Sequence, residues 1–447
     1  MYMGCFIFIF IYFINYCIIN IMIVGVIGGG AAGMMSAITA ARNGHKVTLI
    51  EHKDRVGKKI LATGNGRCNY TNVDISLRHY HGGDKELINS VIKSFDQKKT
   101  LKFFNEIGVF PKEKNGCIYP YSEQASAVLS CLRNEIIRLK IDVETECNTS
   151  EITKITDIDA KKLIKYSGAE TSKEVEFSQG DVFKVTTDKG VFLFDKLIIC
   201  TGSKAQEKTG SDGSGYKIAK NLGHSIRKPL PALCSLKCKE DFFKAIAGIR
   251  CNAKVTLFID GNEKINDTGE LQLTDYGISG IPVFQVSYLA ARAIEKGANV
   301  SAKIDFMPDA DSLNDLYDII TERIRNNPEK IMEELLIGLF HKNLCILFNK
   351  MAGINQNTPC GEMKSAEINK LCKIIKSFSV SVISANSFDN AQVCSGGVRL
   401  DEINDNLQSS KMRGLYFAGE ILDVNGDCGG YNLQWAWSSG YVAGCLK

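Results

Sequence analysis

The sequence has little net charge and no paired cysteine motif. Its 447 residues carry a formal charge of only +4, and no segment combines clustered lysine and arginine with interleaved aromatic residues. A nucleic-acid groove needs both features, so we expect no nucleic-acid partner. The 16 cysteines are scattered singly and never adopt the Cys-x-x-Cys spacing. This excludes a redox-active dithiol motif and a zinc finger. It predicts reduced, mostly buried thiols in a cytoplasmic protein, with no metal site.

Basic residues are also missing from the N-terminus, where no lysine or arginine precedes Arg42. Residues 1–20 are apolar and long enough to approach a membrane span, but a signal peptide or anchor would need flanking positive charge. The apolar run also continues directly into Met22, where a buried strand must begin. We interpret residues 1–21 as a leader from a misassigned start, with translation beginning at Met22. A membrane anchor and a signal peptide remain the alternatives, and no membrane partner is expected unless the leader is real.

A βαβ unit follows this leader. Ile21–Ile27 has the continuous apolar character of a buried parallel strand, Ala31–Asn43 is typical of a helix, and Lys46–Glu51 forms a second strand. The segment "GGGAAG" leads from the first strand into the start of the helix. The unit therefore has the order expected of a dinucleotide-binding fold.

The loop of this unit matches the pattern Gly28-x-Gly30-x-x-Gly33. Gly28 permits a tight turn, Gly30 lets a pyrophosphate approach the backbone, and Gly33 lets the helix pack closely. The helix N-terminus then faces the phosphates with free N–H groups. Glu51 ends the second strand, where a carboxylate can accept hydrogen bonds from ribose hydroxyls. These features predict a nucleotide site.

A second glycine-rich segment, "GKKILATGNGRCNYTN", covers Gly57–Asn72. Glycines let the backbone approach a ligand, and its cations and amides complement a phosphate or a polar ring. The alternative is a solvated basic loop. Farther along, the buried strand Phe194–Ser203 contains Thr201-Gly202 near its end, as expected at the ligand-binding edge of a doubly wound sheet.

The character of the chain changes near Pro229. Short β-rich segments follow, and Ser312–Lys376 has helical periodicity without an evident motif. We predict a nucleotide-binding domain over residues 22–228, an inserted β-rich domain over 229–310, a helical subdomain over 311–380 and the C-terminal part of the nucleotide domain over 381–447.

The C-terminal segment Gly414–Gly444 reads "GLYFAGEILDVNGDCGGYNLQWAWSSGYVAG". It predicts a strand that ends at Gly419-Glu420, a tight loop, and a helix from Tyr431 with small residues on one face. A nicotinamide-only site does not need this second helix, whereas the extended FAD molecule does. The two ends of the chain together therefore predict an FAD site.

These segments resemble the BaiN/YhiN-like FAD-dependent oxidoreductases, also called aminoacetone-oxidase-family FAD-binding enzymes, from about Met22 to the C-terminus. Asp275 stands where many members have histidine. The matching blocks are "GVIGGGAAGM", "GKKILATGNGRCNYTN", "CTGSKAQEKTGSDGSGYKIAKNLGHSI", "PLPAL", "LTDYGISGIP", "CSGGVRLDEI" and "GLYFAGEILDVNGDCGGYNLQWAWSSGYVAG".

The resemblance implies an α/β fold: a glutathione-reductase-type FAD-binding Rossmann domain interrupted by a β-barrel-like insert with a helical appendage. It also implies roles for individual residues. The ADP half is expected to contact Gly28, Gly30, Ala32, Gly33 and Glu51, and the adenosine is expected to lie beside Thr201 and Gly202. The pyrophosphate and flavin side is expected to be lined by Lys59, Asn65, Gly66, Arg67 and Asn69. The ribityl chain is expected to meet Gly419 and Glu420, and the isoalloxazine is expected to meet Gly430, Tyr431 and Asn432.

The expected activity is transfer of hydride or electrons between NAD(P)H and a small organic substrate of enone or amine type, through FAD. No second complete GxGxxG unit distinguishes NADH from NADPH. Tyr276 and Arg399 are the candidate catalytic residues, because the resemblance places their blocks near the flavin. His79 and His81 flank a polar turn and are interpreted as solvated surface residues. An FAD-dependent tRNA-modifying enzyme and a non-catalytic flavin-bound sensor or assembly protein remain alternatives, and the oligomeric state is not predicted.

Overall fold

The computed structural model describes residues 21–156, 159 and 180–446. The predicted leader before Ile21 and most of the polar stretch 157–180 lie outside these residues. The chain forms two units: unit 1 contains the residues up to Lys228 and those from Gly396, and unit 2 is Pro229–Ser395. Each unit has its own hydrophobic core. Within the described ranges, no helix combines the length and hydropathy needed to cross a membrane.

The strands in the described residues are numbered along the chain. In chain order they are β1 (Ile23–Ile27), β2 (Lys46–Ile50), β3 (Thr71–Asn72), β4 (Tyr80–Gly82), β5 (Pro111–Lys114), β6 (Cys117–Pro120), β7 (Asp142–Glu144), β8 (Thr149–Ile155), β9 (Val182–Thr187), β10 (Gly190–Phe194), β11 (Lys196–Ile199), β12 (Ile226–Ala232), β13 (Leu236–Cys238), β14 (Arg250–Ile259), β15 (Asn262–Thr274), β16 (Gly277–Gly280), β17 (Val300–Asp305), β18 (Phe378–Ala385), β19 (Val393–Val398), β20 (Leu415–Phe417) and β21 (Val424–Gly426).

The α-helices of the same residues are numbered in the same way. They are α1 (Ala31–Arg42), α2 (Lys85–Ser94), α3 (Gln97–Glu106), α4 (Ala125–Arg138), α5 (Ser214–Asn221), α6 (Phe243–Ile246), α7 (Ile281–Glu295), α8 (Leu313–Asn326), α9 (Met332–Leu336), α10 (Lys342–Ala352), α11 (Ser365–Lys376) and α12 (Tyr431–Gly444).

Unit 1 is built on a parallel five-stranded sheet in the order β20-β11-β1-β2-β7. Val26 of β1 pairs with Ile198 on one side and Leu49 on the other. All three side chains are fully buried, as expected for a parallel sheet covered on both faces. Because parallel strands end at a common edge, the segments that follow β1, β2, β11 and β20 all emerge there.

The first and last helices of unit 1 pack against each other through small residues. A Cβ atom added to Gly440 of α12 would lie 2.6 Å from the carbonyl oxygen of Ala32, and one added to Gly444 would lie 2.6 Å from that of Ser36. Both positions therefore require glycine for this close approach. The small face that the sequence predicts for the C-terminal helix is the face that contacts α1.

Unit 2 contains a closed antiparallel barrel in the order β13-β16-β15-β14-β17-β18. Alternate residues of β14 point inward, so Ala253, Val255 and Leu257 are fully buried. The hairpin between β14 and β15 turns at Asp260-Gly261, whose φ angles of 50° and 78° suit a type I′ turn. The helices α8 to α11 contribute their buried faces to the same core.

The barrel and its helices confirm the predicted fold class, but the chain returns to unit 1 later than residue 381. Strand β18 pairs with β17 and β13 and closes the barrel, and unit 1 resumes at Gly396. The alternating buried and exposed residues of β18 identify a strand with one core-facing side. That pattern does not reveal which sheet the strand joins.

Candidate cofactor site

The glycine loop places its three motif glycines in different environments. A Cβ atom on Gly28, where φ is +101°, would lie 2.5 Å from the carbonyl oxygen of Cys200, and one on Gly33 would lie 1.8 Å from that of Gly28. Gly30 differs, because a Cβ atom there would meet nothing within 4 Å. Gly28 and Gly33 are thus required by packing, whereas Gly30 leaves open space at the N-terminus of α1. That space suits a pyrophosphate.

Glu51 is buried at the end of β2 and holds the loop in place. Its Oε2 accepts a hydrogen bond of 2.8 Å from the N–H of Gly29, and its Oε1 accepts one of 2.8 Å from the N–H of Lys53. A carboxylate has about four acceptor positions, so further positions remain for ribose hydroxyls. The Nε2 atom of His52, the next residue, is buried without a hydrogen-bond partner among the described residues.

Lys59 and Glu420 contact each other across the site. The Lys59 Nζ lies 2.8 Å from Glu420 Oε2, and the hydroxyl of Ser203 donates to the same oxygen at 3.1 Å. Both charged side chains are about four-fifths buried, with exposed fractions of 21% and 19%. The structure therefore brings together two predicted cofactor residues that are 361 positions apart.

The glycine-rich segment after Lys59 bends sharply. Gly64, Asn65 and Gly66 have φ angles of 55°, 53° and 81°, a run of left-handed residues that glycine and asparagine tolerate. The Asn65 and Arg67 side chains are exposed, and Arg67 Nη1 is 3.9 Å from Glu123 Oε2. A Cβ atom on Gly66 would meet nothing within 4 Å. This bend presents unobstructed backbone.

Asn69 leaves this bend and lies against the start of α12. Its Oδ1 atom is buried and has no hydrogen-bond partner in the described part of the chain. A Cβ atom on Gly430 would lie 2.8 Å from it. An unpaired buried acceptor is costly, so this oxygen is a candidate for a contact with a bound molecule.

Thr201 and Gly202 follow β11 at the same sheet edge as the glycine loop. Gly202 has a φ angle of +74°, and a Cβ atom on Gly215 of α5 would lie 1.7 Å from Thr201 Oγ1. This Oγ1 is also buried and lacks a partner among the described residues. The segment is therefore tightly packed, yet keeps a hydroxyl available for a ligand.

Gly419, after β20, contacts the glycine loop's helix. A Cβ atom there would lie 2.7 Å from the Cβ of Ala32. The Gly419 N–H donates to Ser439 Oγ at 2.9 Å, and the indole N–H of Trp435 donates to the Gly419 carbonyl at 3.1 Å. Two side chains of α12 thus fix the backbone of Gly419 beside α1.

The N-terminus of α12 contains the last three predicted cofactor residues. Gly430 precedes the helix with a φ angle of +95°. The Asn432 side chain accepts from the Gly426 N–H at 2.8 Å and donates to the Gly426 carbonyl at 2.9 Å. Tyr431 is buried. Asn432 therefore secures the loop between β21 and α12, and leaves the first N–H groups of the helix for other partners.

The interpretation of His79 and His81 as solvated residues is wrong. Both side chains are 19% exposed and contact one carboxylate: His79 Nδ1 lies 2.9 Å from Asp427 Oδ2, and His81 Nε2 lies 2.7 Å from Asp427 Oδ1. The His79 ring also stacks on Tyr431 with 4.3 Å between centroids. Asp427 is not among the residues that the sequence predicts for the site. The alternation in "HYH" and "NGD" is the signal that could reveal it, because alternate residues of an extended segment share a face.

The two predicted catalytic residues have different surroundings. Arg399 of unit 1 is exposed and donates from Nε and Nη2 to the carboxylate of Asp401, at 3.0 and 2.5 Å. Tyr276 lies in unit 2, in the turn between β15 and β16, where its hydroxyl accepts from Asn386 Nδ2 at 3.2 Å. Its side chain is 38% exposed. Catalytic roles for both residues stay predictions.

The cysteines of the described residues are free thiols and most are buried. Burial raises the pKa of Cys200, below the glycine loop, to about 12, which opposes formation of a reactive thiolate. No cluster of three metal-ligating side chains occurs in the part of the chain that the structure describes.

These features fit an extended dinucleotide cofactor. The open space at Gly30 lies at a helix N-terminus, and the unpaired buried atoms Thr201 Oγ1 and Asn69 Oδ1 are provided by segments that resemblance places along such a molecule. The Lys59–Glu420 pair supplies one cation and one carboxylate. The dipole of α1, the Lys59 cation and the open backbone at Gly30 favour binding of a pyrophosphate. The carboxylates of Glu51 and Glu420 favour binding of sugar hydroxyls.

Comparison with known proteins gives a family and several relatives. The family model described as "HI0933-like protein Rossmann domain" matches residues 22–446. The chain is 40% identical over 424 residues to a 3-dehydro-bile acid delta(4,6)-reductase of Clostridium scindens, covering 94% of this chain and 98% of that protein. It is 26% identical over 420 residues to a ribosomal RNA dihydrouridine synthase of Haemophilus influenzae, covering 93% and 96%. A protein of the same name from Escherichia coli is 26% identical over 432 residues, with the same coverage of 93% and 96%.

Proposed function

The chain belongs to the HI0933-like family of Rossmann-domain proteins and is an FAD-dependent oxidoreductase, and we propose that it reduces a carbon–carbon double bond conjugated with a ketone. In this proposal NAD(P)H supplies the hydride and the substrate is a small enone of steroid type. The observation that carries the proposal is the 40% identity to the bile-acid reductase over nearly the full length of both chains.

The residues of unit 1 have distinct roles in this proposal. The α1 N-terminus at Gly30 and the Lys59 ammonium bind the pyrophosphate, and Glu51 binds the adenosine ribose. Glu420 binds the ribityl hydroxyls, while Asn69 Oδ1 and the start of α12 meet the isoalloxazine edge. The open space at Gly30 and the unpaired Asn69 Oδ1 support this placement. When bound, FAD supplies hydride transfer.

The protein contributes position and electrostatics. The N–H groups at the start of α12 favour negative charge at the adjacent ring edge, since a helix N-terminus carries partial positive charge. Trp435 and Ser439 hold Gly419 against α1, so the two halves of the cofactor site keep a fixed separation. Tyr276 and Arg399 remain candidates for substrate contact.

Gly30→Ala tests the cofactor site most directly. The backbone of Gly30 has a φ angle of −75° and its Cβ direction is empty, so alanine should change the stability of the cofactor-free protein by less than about 0.5 kcal/mol. In the proposed placement a bound pyrophosphate would occupy that space, so we expect the variant to lose the visible flavin absorbance. Gly269→Ala in unit 2, where a Cβ atom meets only Pro282 Cδ at 3.5 Å, is the matched control. Full flavin content in Gly30→Ala contradicts the placement.

The reaction is tested by two half-reactions under anaerobic conditions. NADH and NADPH are compared as reductants of the flavin absorbance. A 3-keto-4-ene steroid, an amino-ketone and a primary amine are then compared as reaction partners. We expect flavin reduction by one of the nucleotides and reoxidation by the steroid enone. A reduced flavin that the steroid enone does not reoxidise contradicts the proposed substrate class.

A second candidate function is reduction of uracil in RNA. Two relatives named ribosomal RNA dihydrouridine synthase support it, at 26% identity. The chemistry is related, because the C5–C6 double bond of uracil is also conjugated with a carbonyl group. Incubation of the reduced enzyme with protein-free ribosomal RNA, followed by nucleoside mass spectrometry, separates the two. Dihydrouridine formation, without steroid-dependent reoxidation, favours the RNA function.

A further inference from the structure

The antiparallel strands β4 and β21 form a two-stranded ribbon with one apolar and one polar face. Gly426 pairs with Tyr80, and Asn425 pairs with His81. Tyr80 and Val424 are buried in the core of unit 1. Because alternate residues share a face and directly paired residues lie on the same side, His81 and Asn425 share the opposite, polar face. His79 immediately precedes β4 and Asp427 immediately follows β21, and the Asp427 N–H donates to the His79 carbonyl at 2.9 Å.

Asp427 joins the two histidines of this polar face. Its Oδ1 lies 2.7 Å from His81 Nε2 and its Oδ2 lies 2.9 Å from His79 Nδ1. The carboxylate thus connects two imidazoles, and each of these groups can accept or donate a proton. The three side chains are each 19% exposed, so a small molecule can reach the cluster.

Asn425 adds an unused donor beside this cluster. The residue is 2% exposed, and its Nδ2 is buried without a hydrogen-bond partner in the described ranges. A buried amide without a partner costs free energy. An unpaired N–H group that shares a face with His81 points to a ligand that carries an acceptor oxygen.

The outer end of the cluster leads to the surface. His79 Nε2 lies 3.1 Å from Arg78 Nε and 3.3 Å from Asp74 Oδ2. Hydrogen bonds from Ser76, and from His79 and Arg78, hold the pKa of Asp74 well below its usual range. Arg78 is 74% exposed. His79 therefore connects the cluster to the exposed side chain of Arg78.

Other ionisable groups face the cluster from neighbouring elements. Lys85 of α2 donates to the Tyr80 carbonyl; burial lowers its pKa, and the charge of Asp427 opposes that shift. Burial raises the pKa of Tyr80 and of Tyr431 well above the usual range, and Asp74 and Asp427 add to the effect. Both phenols therefore stay neutral at ordinary pH.

We propose that the polar face formed by His79, His81, Asn425 and Asp427 binds the carbonyl end of the substrate and delivers the proton that completes its reduction. Asn425 Nδ2 donates to the carbonyl oxygen, and His81, Asp427 and His79 form a proton relay to solvent. The inference rests on the proposed function, since this face adjoins the start of α12 through the stacked rings of His79 and Tyr431.

The proposed step reduces the carbon–carbon double bond of the enone. The π bond would break as hydride, the chemistry that bound FAD would supply, adds to the β-carbon, and the electron pair would move toward the carbonyl oxygen held by Asn425. The α-carbon then takes a proton from His81, which forms the second C–H bond. His81 recovers a proton through Asp427 and His79 from solvent. The substrate gains two electrons and two hydrogens, and the pyridine nucleotide that reduces the cofactor is oxidised.

The test uses the dithionite-reduced holoenzyme in anaerobic stopped flow, with two oxidants. A 3-keto-4-ene steroid needs a proton at carbon, whereas ferricyanide takes electrons alone. We expect Asp427→Asn to slow reoxidation by the steroid about a hundredfold, to enlarge its solvent deuterium isotope effect, and to change reoxidation by ferricyanide less than about twofold. Asn425→Leu should raise the KM for the steroid about tenfold, with a smaller effect on kcat. His224→Gln, which alters a separate histidine–carboxylate pair with Glu402, is the control.

Equal losses with both oxidants, or wild-type rates with the steroid, overturn the relay. A wild-type enzyme that ferricyanide reoxidises and the steroid does not instead contradicts the proposed function. In that case the proposed relay is tested without substrate, by recording the imidazole NMR signals of the six histidines. Asp427→Asn should shift the signals of His79 and His81 together and leave those of His224 in place. A shift confined to one imidazole overturns the relay.

Discussion

The N–H of Gly29 donates a hydrogen bond of 2.8 Å to Oε2 of Glu51, across the first two strands of the sheet. The carboxylate that the sequence predicts as a ribose ligand is therefore also the anchor of the glycine loop. A Cβ atom on Gly29 would lie 3.1 Å from the same oxygen. Loop geometry and the predicted ribose contact consequently involve the same side chain.

Glu51→Gln is expected to weaken both roles. Each carboxylate oxygen of Glu51 accepts a backbone N–H, and the amide of glutamine presents N–H groups to one of these two donors. We predict a loss of about 1–2 kcal/mol in the free energy of unfolding of the cofactor-free protein and about a tenfold loss of FAD affinity. Urea denaturation and fluorescence titration measure the two. Glu144→Gln on the neighbouring strand β7 is the control, and wild-type FAD affinity in Glu51→Gln would refute the prediction.

Gly440→Ala is expected to separate the two helices that close the site. The added methyl would lie 2.6 Å from the Ala32 carbonyl oxygen and 3.0 Å from the Met35 Cβ, so α12 must move. Overpacking of this kind costs about 1–3 kcal/mol. We predict that loss in the free energy of unfolding, together with weaker FAD retention on gel filtration. Gly83→Ala, where a Cβ atom meets only Asp423 Oδ2 at 3.8 Å, should be neutral. Equal stability of the two variants would contradict the close-packed interface.

The cofactor half of the site was predictable because its signals are local in sequence. The glycine spacing, Glu51 after the second strand and the small face of α12 each lie within one short segment, and the family and fold class that they predict are confirmed. The assignment of FAD as cofactor follows from the same segments. The individual site residues stay predictions, although the Lys59–Glu420 contact brings two of them together.

The His79–Asp427–His81 cluster was not predictable from periodicity alone. Asp427 lies more than 340 positions from the two histidines, and the three side chains meet only because β4 pairs with β21. A short polar alternation such as "HYH" is equally typical of a solvated turn. Likewise, the alternation of Phe378–Ala385 indicates a strand without indicating its sheet, which explains why the return to unit 1 was placed at 381 instead of Gly396. In both cases, the pairing of β4 with β21 and the place of β18 in the barrel, tertiary contacts decide which strands pair.

Acid should destabilise unit 1 through the buried pair of His224 and Glu402. Burial opposes ionisation of Glu402, but hydrogen bonds from Lys411 and Ser225 lower its pKa to about 2. A lowered carboxyl pKa stabilises the fold above the unfolded value of about 4.3 and loses that effect as the pH falls toward 2. Burial also lowers the pKa of His224, although Glu402 opposes that shift. The stability contributed by neutral His224 is therefore full above its unfolded value of about 6.5 and declines as the pH falls below it.

The measurement is the urea midpoint at pH 7.5, 5.5 and 4.0. We expect the wild type to lose stability at each acid step. His224→Gln should remove most of the difference between pH 7.5 and 5.5, and Glu402→Gln should reduce the further loss toward pH 4.0. His341→Gln, on the exposed N-terminus of α10 in unit 2, is the control. An unchanged profile in His224→Gln would contradict the assignment.

The contact between Lys59 and Glu420 predicts energetic coupling in cofactor binding. Lys59→Met removes the cation and leaves Glu420 hydrogen-bonded to the hydroxyl of Ser203. Because the pair is about four-fifths buried, an unpaired carboxylate there repels a pyrophosphate more strongly than it would in water. We expect Lys59→Met to lower FAD affinity about tenfold or more.

Lys59→Met combined with Glu420→Gln should recover part of the loss, with a coupling energy of about 1–2 kcal/mol. Lys58→Met removes an adjacent ion pair with Asp54, whose side chain is 53% exposed, and should change affinity less than about twofold. Additive losses in the double variant would mean that the two residues act on the cofactor independently.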